Sequence, residues 1–267
     1  MSLATIDLGV GELLLASVLV LATAAASLAF HLGMARGLLL AALRAAAQLA
    51  VLGLVLRWVF ARDSAALVLV MMLAMALLAG HEAVRRTRHR VRGGKGMAMG
   101  VVLATSMAVT AYATQAVLRV EPWYEPQYLI PILGMILGNT LNGISLGLDA
   151  VLAGFRRERT RVEGLLAHGA TRASAARDVV REAVRTGLVP VVNMMIAAGA
   201  ISIPGMMTGQ ILAGEEPFSA ARYQMFILFA IAGGTALGTV GVVLLATRLA
   251  FDERDRLRVD RIERVDA

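Results

Sequence analysis

Long uninterrupted runs of apolar residues dominate the hydrophobic pattern of this chain. About seven runs approach or exceed the roughly 18 residues that an α-helix needs to cross the hydrocarbon core of a bilayer. A membrane β-barrel would instead show alternating segments of about ten residues. The pattern therefore predicts an all-α, polytopic membrane helix bundle that forms one transmembrane domain over residues 1–267. The runs are Leu13–Phe30, Gly37–Leu56, Ser64–Gly80, Met97–Leu118, Tyr128–Leu148, Thr186–Gly214 and Tyr223–Thr247.

The sixth run, Thr186–Gly214, differs from the others because it is longer than a bilayer requires and contains Pro190 and Pro204. Proline removes a backbone donor and clashes with the preceding helical turn. We therefore predict a helix break at Pro204 and Gly205, where the freed backbone groups must be satisfied by protein or by a water-filled cavity. A tilted helix with only a kink is the alternative. In the functional interpretation, the break lines a transport path or acts as a hinge.

Positive charge is concentrated in alternate loops, with 26 Lys and Arg against 19 Asp and Glu in the whole chain. Basic residues cluster near residues 85–95, over residues 156–185 and in the tail, residues 248–267. The positive-inside rule then predicts the N-terminus outside and the C-terminus in the cytoplasm, which seven crossings satisfy. The tail alternates in charge sign and is predicted to be a helix end followed by a solvated strip. The basic loops are expected to touch anionic lipid, and no motif indicates nucleic acid as a partner.

Polar side chains inside the apolar runs are costly and are often functional. Arg44 and Gln48 are four residues apart and share one helical face, and we interpret them as structural residues that snorkel or hold helices together. Asn139 and Asn142 also share a face, and they either clamp a neighbouring helix or line a path. Asn193 in the sixth run is a third candidate for the path.

Two methionines, Met206 and Met207, follow the predicted break directly. A thioether is a ligand for soft metals, although methionine is more often an adaptable packing residue. We keep both residues as candidates for a substrate path. The chain has no cysteine, so a thiolate metal site is excluded, and the sequence assigns no metal ligands.

Glycines recur four residues apart in the later runs, a spacing that lets helices approach closely within one subunit or between two. A homodimer is therefore plausible. The segment Gly143–Gly147 matches G-x-S-x-G around Ser145, but it lacks the strand context and a histidine base, so it suits packing better than catalysis. The glycine pairs with the four-residue spacing are Gly134/Gly138, Gly143/Gly147, Gly205/Gly209 and Gly234/Gly238.

A hydrophilic segment with helical periodicity, "VEGLLAHGATRASAARDVVREAV", separates the fifth and sixth runs. Gly169 predicts the end of one helix, and Thr171 or Ser174 predicts the start of the next. Such a helix–glycine–helix unit suits insertion into a groove of a soluble partner. An amphipathic helix lying on the membrane is the alternative, although the apolar stripe is rich in alanine.

The same segment resembles the EAA-type loop of ABC-transporter permeases, because Glu163 and Gly169 in "EGLLAHGAT" have the six-residue offset of that motif. Four further stretches, spread over roughly residues 35–250, are similar to the FetB-type permeases, a family of iron exporters whose plant relatives are linked to aluminium tolerance. They are "RAAAQL" (Arg44–Leu49), "IPILGMILGN" (Ile130–Asn139), "SIPGMMTG" (Ser202–Gly209), and "ILAG" followed by Pro217 and "RYQ" (Arg222–Gln224).

The resemblance implies a multi-pass permease in the cytoplasmic (inner) membrane, built from two copies of this chain and two copies of a FetA-type ATPase. Residues 150–187 would then be the cytoplasmic coupling-helix loop. ATP and Mg²⁺ would bind to the partner, since this chain has no G-x-x-x-x-G-K-[ST] motif and is predicted to be neither an enzyme nor a cofactor-binding protein. The residues that would contact the ATPase are Glu163, Leu166, Gly169, Ala170 and Thr171.

One departure from the family pattern lies in the sixth run. The family usually has an aspartate there, three residues before a lysine, and Asn193 and Ile196 occupy those positions here. Loss of both charges together is expected of a structural ion pair. If the family's aspartate handles metal instead, its replacement by Asn193 implies a different substrate for this chain.

An ATP-independent secondary transporter or channel is the alternative function. It leaves the hydrophilic segment between the fifth and sixth runs without a role.

Overall fold

The computed structural model of the chain describes residues 9–62 and 64–264 and is almost entirely helical. Residues 265–267 of the predicted tail lie outside the described residues. A π-helical segment (Tyr112–Val117) continues α4, and a single 3₁₀ turn (Val259–Arg261) precedes β2. The elements are α1 (Val10–Ala29), α2 (Ala35–Phe60), α3 (Ala65–Arg85), β1 (His89–Val91), α4 (Gly94–Ala111), α5 (Pro126–Arg157), α6 (Arg159–Ala167), α7 (Arg172–Ala197), α8 (Gly205–Leu212), α9 (Pro217–Ala250) and β2 (Ile262–Arg264).

Among residues 9–62 and 64–264, six helices are long and apolar enough to cross a membrane, which confirms the predicted polytopic helical bundle. They are α1, α2, α3, α4 with its π-helical extension, α5 and α9. The sixth apolar run of the sequence is absent from this set because the structure divides it between the end of α7 and α8. The seventh crossing and the orientation of the termini therefore stay predictions.

The break in the sixth run is a full interruption of the helix rather than a kink. It covers residues 198–204, so Pro204 is its last residue and Gly205 begins α8. Gly199 has a φ of +81° and reverses the chain direction locally, and its backbone N–H donates to the Ser202 carbonyl at 2.9 Å. The predicted break at Pro204 is confirmed, and part of the freed backbone is satisfied within the turn itself.

Contacts between elements divide the structure into two units. The first contains α1 and α2, which pack against each other, together with residues 212–215. The turn between the two helices uses positive φ angles at His31 and Gly33, and the backbone N–H of Met34 donates to Ser27 Oγ at 3.1 Å. The remaining described elements form the second unit, which includes α8 up to Ile211. The assignment of residues 1–267 to a single transmembrane domain stays a prediction.

The second unit is built around α5, α7 and α9, whose backbones meet at glycines. A Cβ added to Gly187 of α7 would lie 2.7 Å from the carbonyl oxygen of Gly143 and 3.3 Å from Gly147 Cα, both on α5. It would also lie 2.5 Å from Thr239 Cγ2 of α9. Small residues allow such an approach, and close van der Waals packing holds helices together where lipid removes the hydrophobic driving force.

The residues after α9 form a folded cap, residues 251–264, which we call the tail cap. Its strand β2 pairs antiparallel with β1, with Ile262 opposite Val91. Phe251, Leu257 and Ile262 are all buried. The predicted helix end is confirmed, because α9 ends at Ala250, but the solvated strip is only partly right, because these three apolar side chains are buried. They are too isolated among charged residues to form a pattern, yet they pack once the tail pairs with β1.

Candidate functional site

The hydrophilic segment between α5 and α7 folds as the helix–turn–helix that its sequence predicts. α6 ends where Gly169 adopts a φ of +87°, a left-handed conformation that favours glycine. The backbone N–H of Ala170 donates to the Leu165 carbonyl at 3.0 Å and closes the end of α6. Thr171 then caps α7, because its Oγ1 accepts from the backbone N–H of Ser174 at 3.3 Å. Each step of the turn therefore has a local cause in the sequence.

We define residues 159–174 as the α6–α7 knob. One side of the knob packs against the rest of the second unit. Val162 is 1% exposed and packs inward. Arg161 forms an ion pair with Asp178, which joins α6 to the following helix. Glu163 lies on the other, partly open side. Since one face of α6 is buried and the other is open, the knob presents a fixed surface.

The open side of the knob borders a cavity of about 820 Å³, whose other wall is the tail cap. Three of the predicted ATPase-contact residues, Glu163, Leu166 and Ala170, line this cavity. The other two, Gly169 and Thr171, form the turn between α6 and α7. Both signs of charge line the cavity, which fits the polar surface of a protein better than lipid tails. The lining residues are Glu163, Leu166, Ala170, Arg254, Asp255, Arg256, Leu257, Arg258 and Asp260.

Asp252 fixes the turn that forms the tail-cap wall of this cavity. Its Oδ1 accepts from the backbone N–H groups of Arg254 and Arg256, each at 3.0 Å, and its Oδ2 accepts from Arg256 Nε at 2.9 Å. The pKa of Asp252 is lowered to about 2, mainly because the backbone N–H of Arg256 stabilises the ionised carboxylate. Arg172 at the start of α7 also pairs with Asp255 at 3.3 Å. The wall is therefore charged and ordered at neutral pH.

Arg156 at the end of α5 joins the tail cap to the helix bundle, since its Nη1 donates to the Ile262 carbonyl at 2.9 Å. With β2 paired to β1, the loop after α3, the end of α5, the knob and the tail cap lie at one end of the second unit. We call this the basic end. It collects the arginine clusters that the sequence distributes over three separate segments.

Asp149 anchors the start of β1 to α5. Its Oδ1 accepts from the backbone N–H groups of Arg88 and His89, each at 2.8 Å, and lies 3.0 Å from His89 Nδ1.

We expect Asp149→Ala to lower the free energy of unfolding by about 1–3 kcal/mol, because two backbone donors lose their acceptor. Asp178→Ala, which removes only an exposed ion pair, is expected to cost less than about 1 kcal/mol. Thermal unfolding in detergent compares the two, and equal shifts would contradict the anchoring role.

The asparagines predicted to line a path have separate surroundings. Asn142 Oδ1 accepts from Arg86 Nη1 at 2.8 Å, which ties the end of α3 to α5. Asn139 Nδ2 donates to the Met135 carbonyl of its own helix at 2.9 Å. Asn193 is exposed on α7. Of the two alternatives that the sequence leaves open, the geometry of Asn142 favours the helix clamp.

Methionine side chains surround a buried apolar cluster between α4, α5, α7 and α9. Met206 packs against this cluster together with Met135 and Met194, while Met207 is half-buried in the same helix as Met206. These contacts support packing as the role of Met206. In the part of the chain that the structure describes, no three His, Asp or Glu side chains are grouped to hold a metal ion. The buried apolar cluster against which Met206 packs consists of Val109, Ala113, Ile132, Ile136, Val191, Ile227 and Ile231.

Arg44 and Gln48 lie within α2 of the first unit, and both are exposed. An arginine on an apolar helix is costly in lipid unless it reaches the interface or meets a protein partner. The exposure is compatible with the snorkelling role, or with a role in holding a second protein chain.

Comparison with known proteins agrees with the resemblance noted in the sequence. A family model described as "Uncharacterised protein family (UPF0014)" matches residues 10–251. The "UPF0014 membrane protein slr1647" of Synechocystis sp. is 35% identical to this chain over 215 residues, which cover 79% of this chain and 82% of the relative.

Two further relatives carry functional names. The "Probable iron export permease protein FetB" of Escherichia coli is 30% identical over 225 residues, which cover 83% of this chain and 84% of the relative. "Protein ALUMINUM SENSITIVE 3" of Arabidopsis thaliana is 30% identical over 193 residues, which cover 72% and 69%. No solved structure matches the chain. The similarity to FetB-type permeases and their plant relatives is therefore confirmed.

Proposed function

The chain belongs to the UPF0014 family of membrane proteins, and from that premise we propose that it is the permease subunit of an ABC transporter that exports iron across the cytoplasmic membrane. In this proposal a separate, FetA-type ATPase subunit binds ATP and Mg²⁺, and this chain converts the closure of the ATPase into helix movement. The name of the Escherichia coli relative supports iron as the substrate.

The observation that carries the proposal is the α6–α7 knob at the basic end. A short helix, a glycine in the left-handed conformation and a capped second helix form a surface whose outer side borders the cavity that the tail cap closes from the other side. The second helix, α7, runs from this surface to the break at residues 198–204. A push on the knob is therefore transmitted along α7 into the bundle, which is what a coupling helix requires.

The proposed orientation places the basic end in the cytoplasm, where the ATPase is located. The positive-inside rule supports it, because the clusters near residues 85–95, residues 156–185 and the tail cap meet at this end. We also propose a homodimer of this chain. The exposed Arg44 and Gln48 on α2 support it, since a second copy offers them a polar contact away from lipid.

Gly169→Ala tests the docking role of the knob. A side chain at a φ of +87° is strained by about 1–2 kcal/mol, and relief of that strain displaces the turn. We expect the amount of co-purified ATPase to fall by about 5- to 30-fold. The tagged chain is solubilised gently from native membranes, and the partner is identified by mass spectrometry and by its phosphate-binding motif.

Gly164→Ala is the matched control, because Gly164 lies within α6 and no atom lies within 4 Å of an added Cβ. We expect this variant to retain the ATPase. If the wild-type chain purifies without an ATPase, the ABC assignment fails, and ATP-independent transport becomes the better hypothesis. If Gly169→Ala and Gly164→Ala retain equal amounts, the ATPase docks elsewhere on the chain.

The residues that the sequence proposes for a substrate path lie on α5, α7 and α8, and each is tested separately because Asn142 and Met206 also have structural contacts; they are Asn139, Asn142, Asn193, Met206 and Met207. Alanine at each position, followed by Fe²⁺ efflux from cells that overproduce the transporter, tests them singly. Wild-type efflux in a variant removes that residue from the path. For Asn142 we expect a loss of stability as well, because the hydrogen bond from Arg86 Nη1 that joins the end of α3 to α5 is removed.

A further inference from the structure

Five hydroxyl groups are buried in the second unit without a hydrogen-bond partner among residues 9–62 and 64–264. Each of the side chains is 1% exposed or less. They lie on three helices that pack against one another, α4, α5 and α9. We call the set the hydroxyl seam. Its members are Ser106, Thr110, Thr140, Thr235 and Thr239.

Other hydroxyls in the same helices show that the unpaired state is not imposed by helical geometry. Thr105 Oγ1 on α4 donates to the Val101 carbonyl at 2.6 Å, one turn earlier in its own helix. Thr247 Oγ1 on α9 donates to the Val243 carbonyl at 2.7 Å. Thr140, Thr235 and Thr239 instead lie against glycines of neighbouring helices, and none of the five seam hydroxyls has a hydrogen-bond partner in the described ranges.

Two of the seam hydroxyls, those of Thr239 and Thr140, lie on facing surfaces of α9 and α5, at glycines that let the helices approach. Thr239 Oγ1 of α9 would be 2.7 Å from a Cβ on Gly143 of α5. Thr140 Oγ1 of α5 would be 3.3 Å from a Cβ on Gly234 of α9. Val109 of α4 also reaches Gly234, so α4 closes the third side. These two hydroxyls therefore face an interface between α5 and α9 that is closed in this structure.

A closed interface gains nothing from these hydroxyls. Burial of an unpaired hydroxyl is unfavourable, and valine would fill the same volume without that cost. Serine and threonine are common where membrane helices approach closely, and their hydroxyls stabilise such an interface through hydrogen bonds, which these five do not make among residues 9–62 and 64–264. A second arrangement of the helices, in which these oxygen atoms are solvated, would remove that cost.

We propose that the hydroxyl seam is the closed form of the translocation path, and that separation of α5 from α9 exposes its oxygen atoms to a partly hydrated metal cation. This inference rests on the proposed transport function. Neutral hydroxyl oxygens replace water around a cation and hold it weakly, which allows the ion to leave. The seam shares no residue with the path candidates Asn139 and Asn142, whose side chains already bond to the Met135 carbonyl and to Arg86.

The chain has no cysteine, which permits a direct test of access to the seam. Thr239→Cys and Thr140→Cys, each in the otherwise unchanged chain in native membranes, are treated with a small charged methanethiosulfonate. The reaction is run without nucleotide and with ATP plus vanadate. We expect labelling in at least one of these states, because a charged reagent reaches only a water-filled path. Val68→Cys, fully buried on α3, is the control that is expected to stay unlabelled.

Thr239→Val and Thr140→Val provide the second test. If the seam is a path, valine lowers Fe²⁺ efflux at least about tenfold and leaves the melting temperature unchanged or raises it by about 2–4 °C. Thr247→Val and Thr105→Val, whose hydroxyls already have acceptors, are expected to keep wild-type efflux. A lower melting temperature in the seam variants, or wild-type efflux with no labelling, would overturn the proposal. If the seam cysteines are labelled equally with and without ATP, and no ATPase co-purifies, the seam is still a water-accessible path. The ABC assignment is then refuted.

Discussion

Replacement of Gly187 by alanine is expected to disrupt the α5–α7–α9 core and to lower the free energy of unfolding by about 3 kcal/mol. An added Cβ would lie 2.5 Å from Thr239 Cγ2 and 2.7 Å from the Gly143 carbonyl oxygen. The threonine methyl can rotate away, but the carbonyl belongs to the backbone of α5, so relief requires the two helices to separate. Alanine gains about 1 kcal/mol in helix propensity, which is less than the cost of overpacking.

Gly138→Ala in α5 is the control for this prediction, because no atom lies within 4 Å of its added Cβ. Gly143→Ala is expected to fall between the two, since its nearest contacts are side-chain atoms of Thr235 and Thr239, at 2.5 and 2.7 Å. Thermal unfolding in detergent, followed by size-exclusion recovery, gives the order. Equal melting temperatures for Gly187→Ala and Gly138→Ala would show that α5 and α7 are not in close contact at this glycine.

The glycine spacing in the sequence predicted part of this packing. Gly143/Gly147 and Gly234/Gly238 do lie at close helix contacts. Gly138, Gly205 and Gly209 have no atom within 4 Å of an added Cβ, so within this chain they mark open surfaces. Gly187 was missed because it has no glycine four residues away. The four-residue spacing detects a groove on one helix, whereas a lone glycine becomes significant only when the opposing backbone is known.

Features with a local cause were predictable, and features that join distant segments were not. Apolar runs gave the membrane helices, and the adjacent Pro204 and Gly205 gave the break, because each depends on a few consecutive residues. The β1–β2 pair joins residues more than 170 positions apart. Three-residue strands carry too little pattern to be recognised, so the pairing of the tail with β1 and the burial of its apolar residues were missed.

The candidate site divides in the same way. The α6–α7 knob follows from Gly169 and Thr171, which act on their immediate neighbours, and the structure shows the predicted helix–turn–helix. The partner of Asn142 lies on another helix, so the sequence left the clamp and the path as equal alternatives. The hydroxyl seam was missed because serine and threonine within a span normally bond to their own helix. The structure alone distinguishes Thr239, whose hydroxyl has no partner in the described ranges, from Thr247, whose hydroxyl donates to the Val243 carbonyl.

Phe155→Ala is expected to lower the free energy of unfolding by about 3–5 kcal/mol and to release the tail cap. Phe155 is fully buried, and its ring packs edge-to-face on Phe251 with centroids 5.6 Å apart. Phe251 is the first residue after α9, so this contact holds the tail cap where it leaves the bundle. Removal of the ring leaves a cavity at the junction of α5 with the tail.

Trypsin measures the release of the tail cap separately from global unfolding. Arg254 and Arg256 are exposed, yet an ordered turn resists cleavage because proteolysis requires local opening. We expect faster cleavage in Phe155→Ala well below its melting temperature. Phe229→Ala, which removes an exposed ring from α9, is expected to cleave at the wild-type rate.

A double-mutant cycle with Phe251→Ala separates the ring contact from the cavity, with a coupling of about 0.5–1.5 kcal/mol expected for the aromatic pair. If Phe155→Ala lowers the melting temperature but leaves cleavage unchanged, the tail cap is held by β1–β2 pairing and by the Arg156–Ile262 bond instead. If cleavage rises and the co-purified ATPase falls with it, the tail-cap wall of the cavity belongs to the docking surface, because Glu163 and Leu166 are unchanged in that variant.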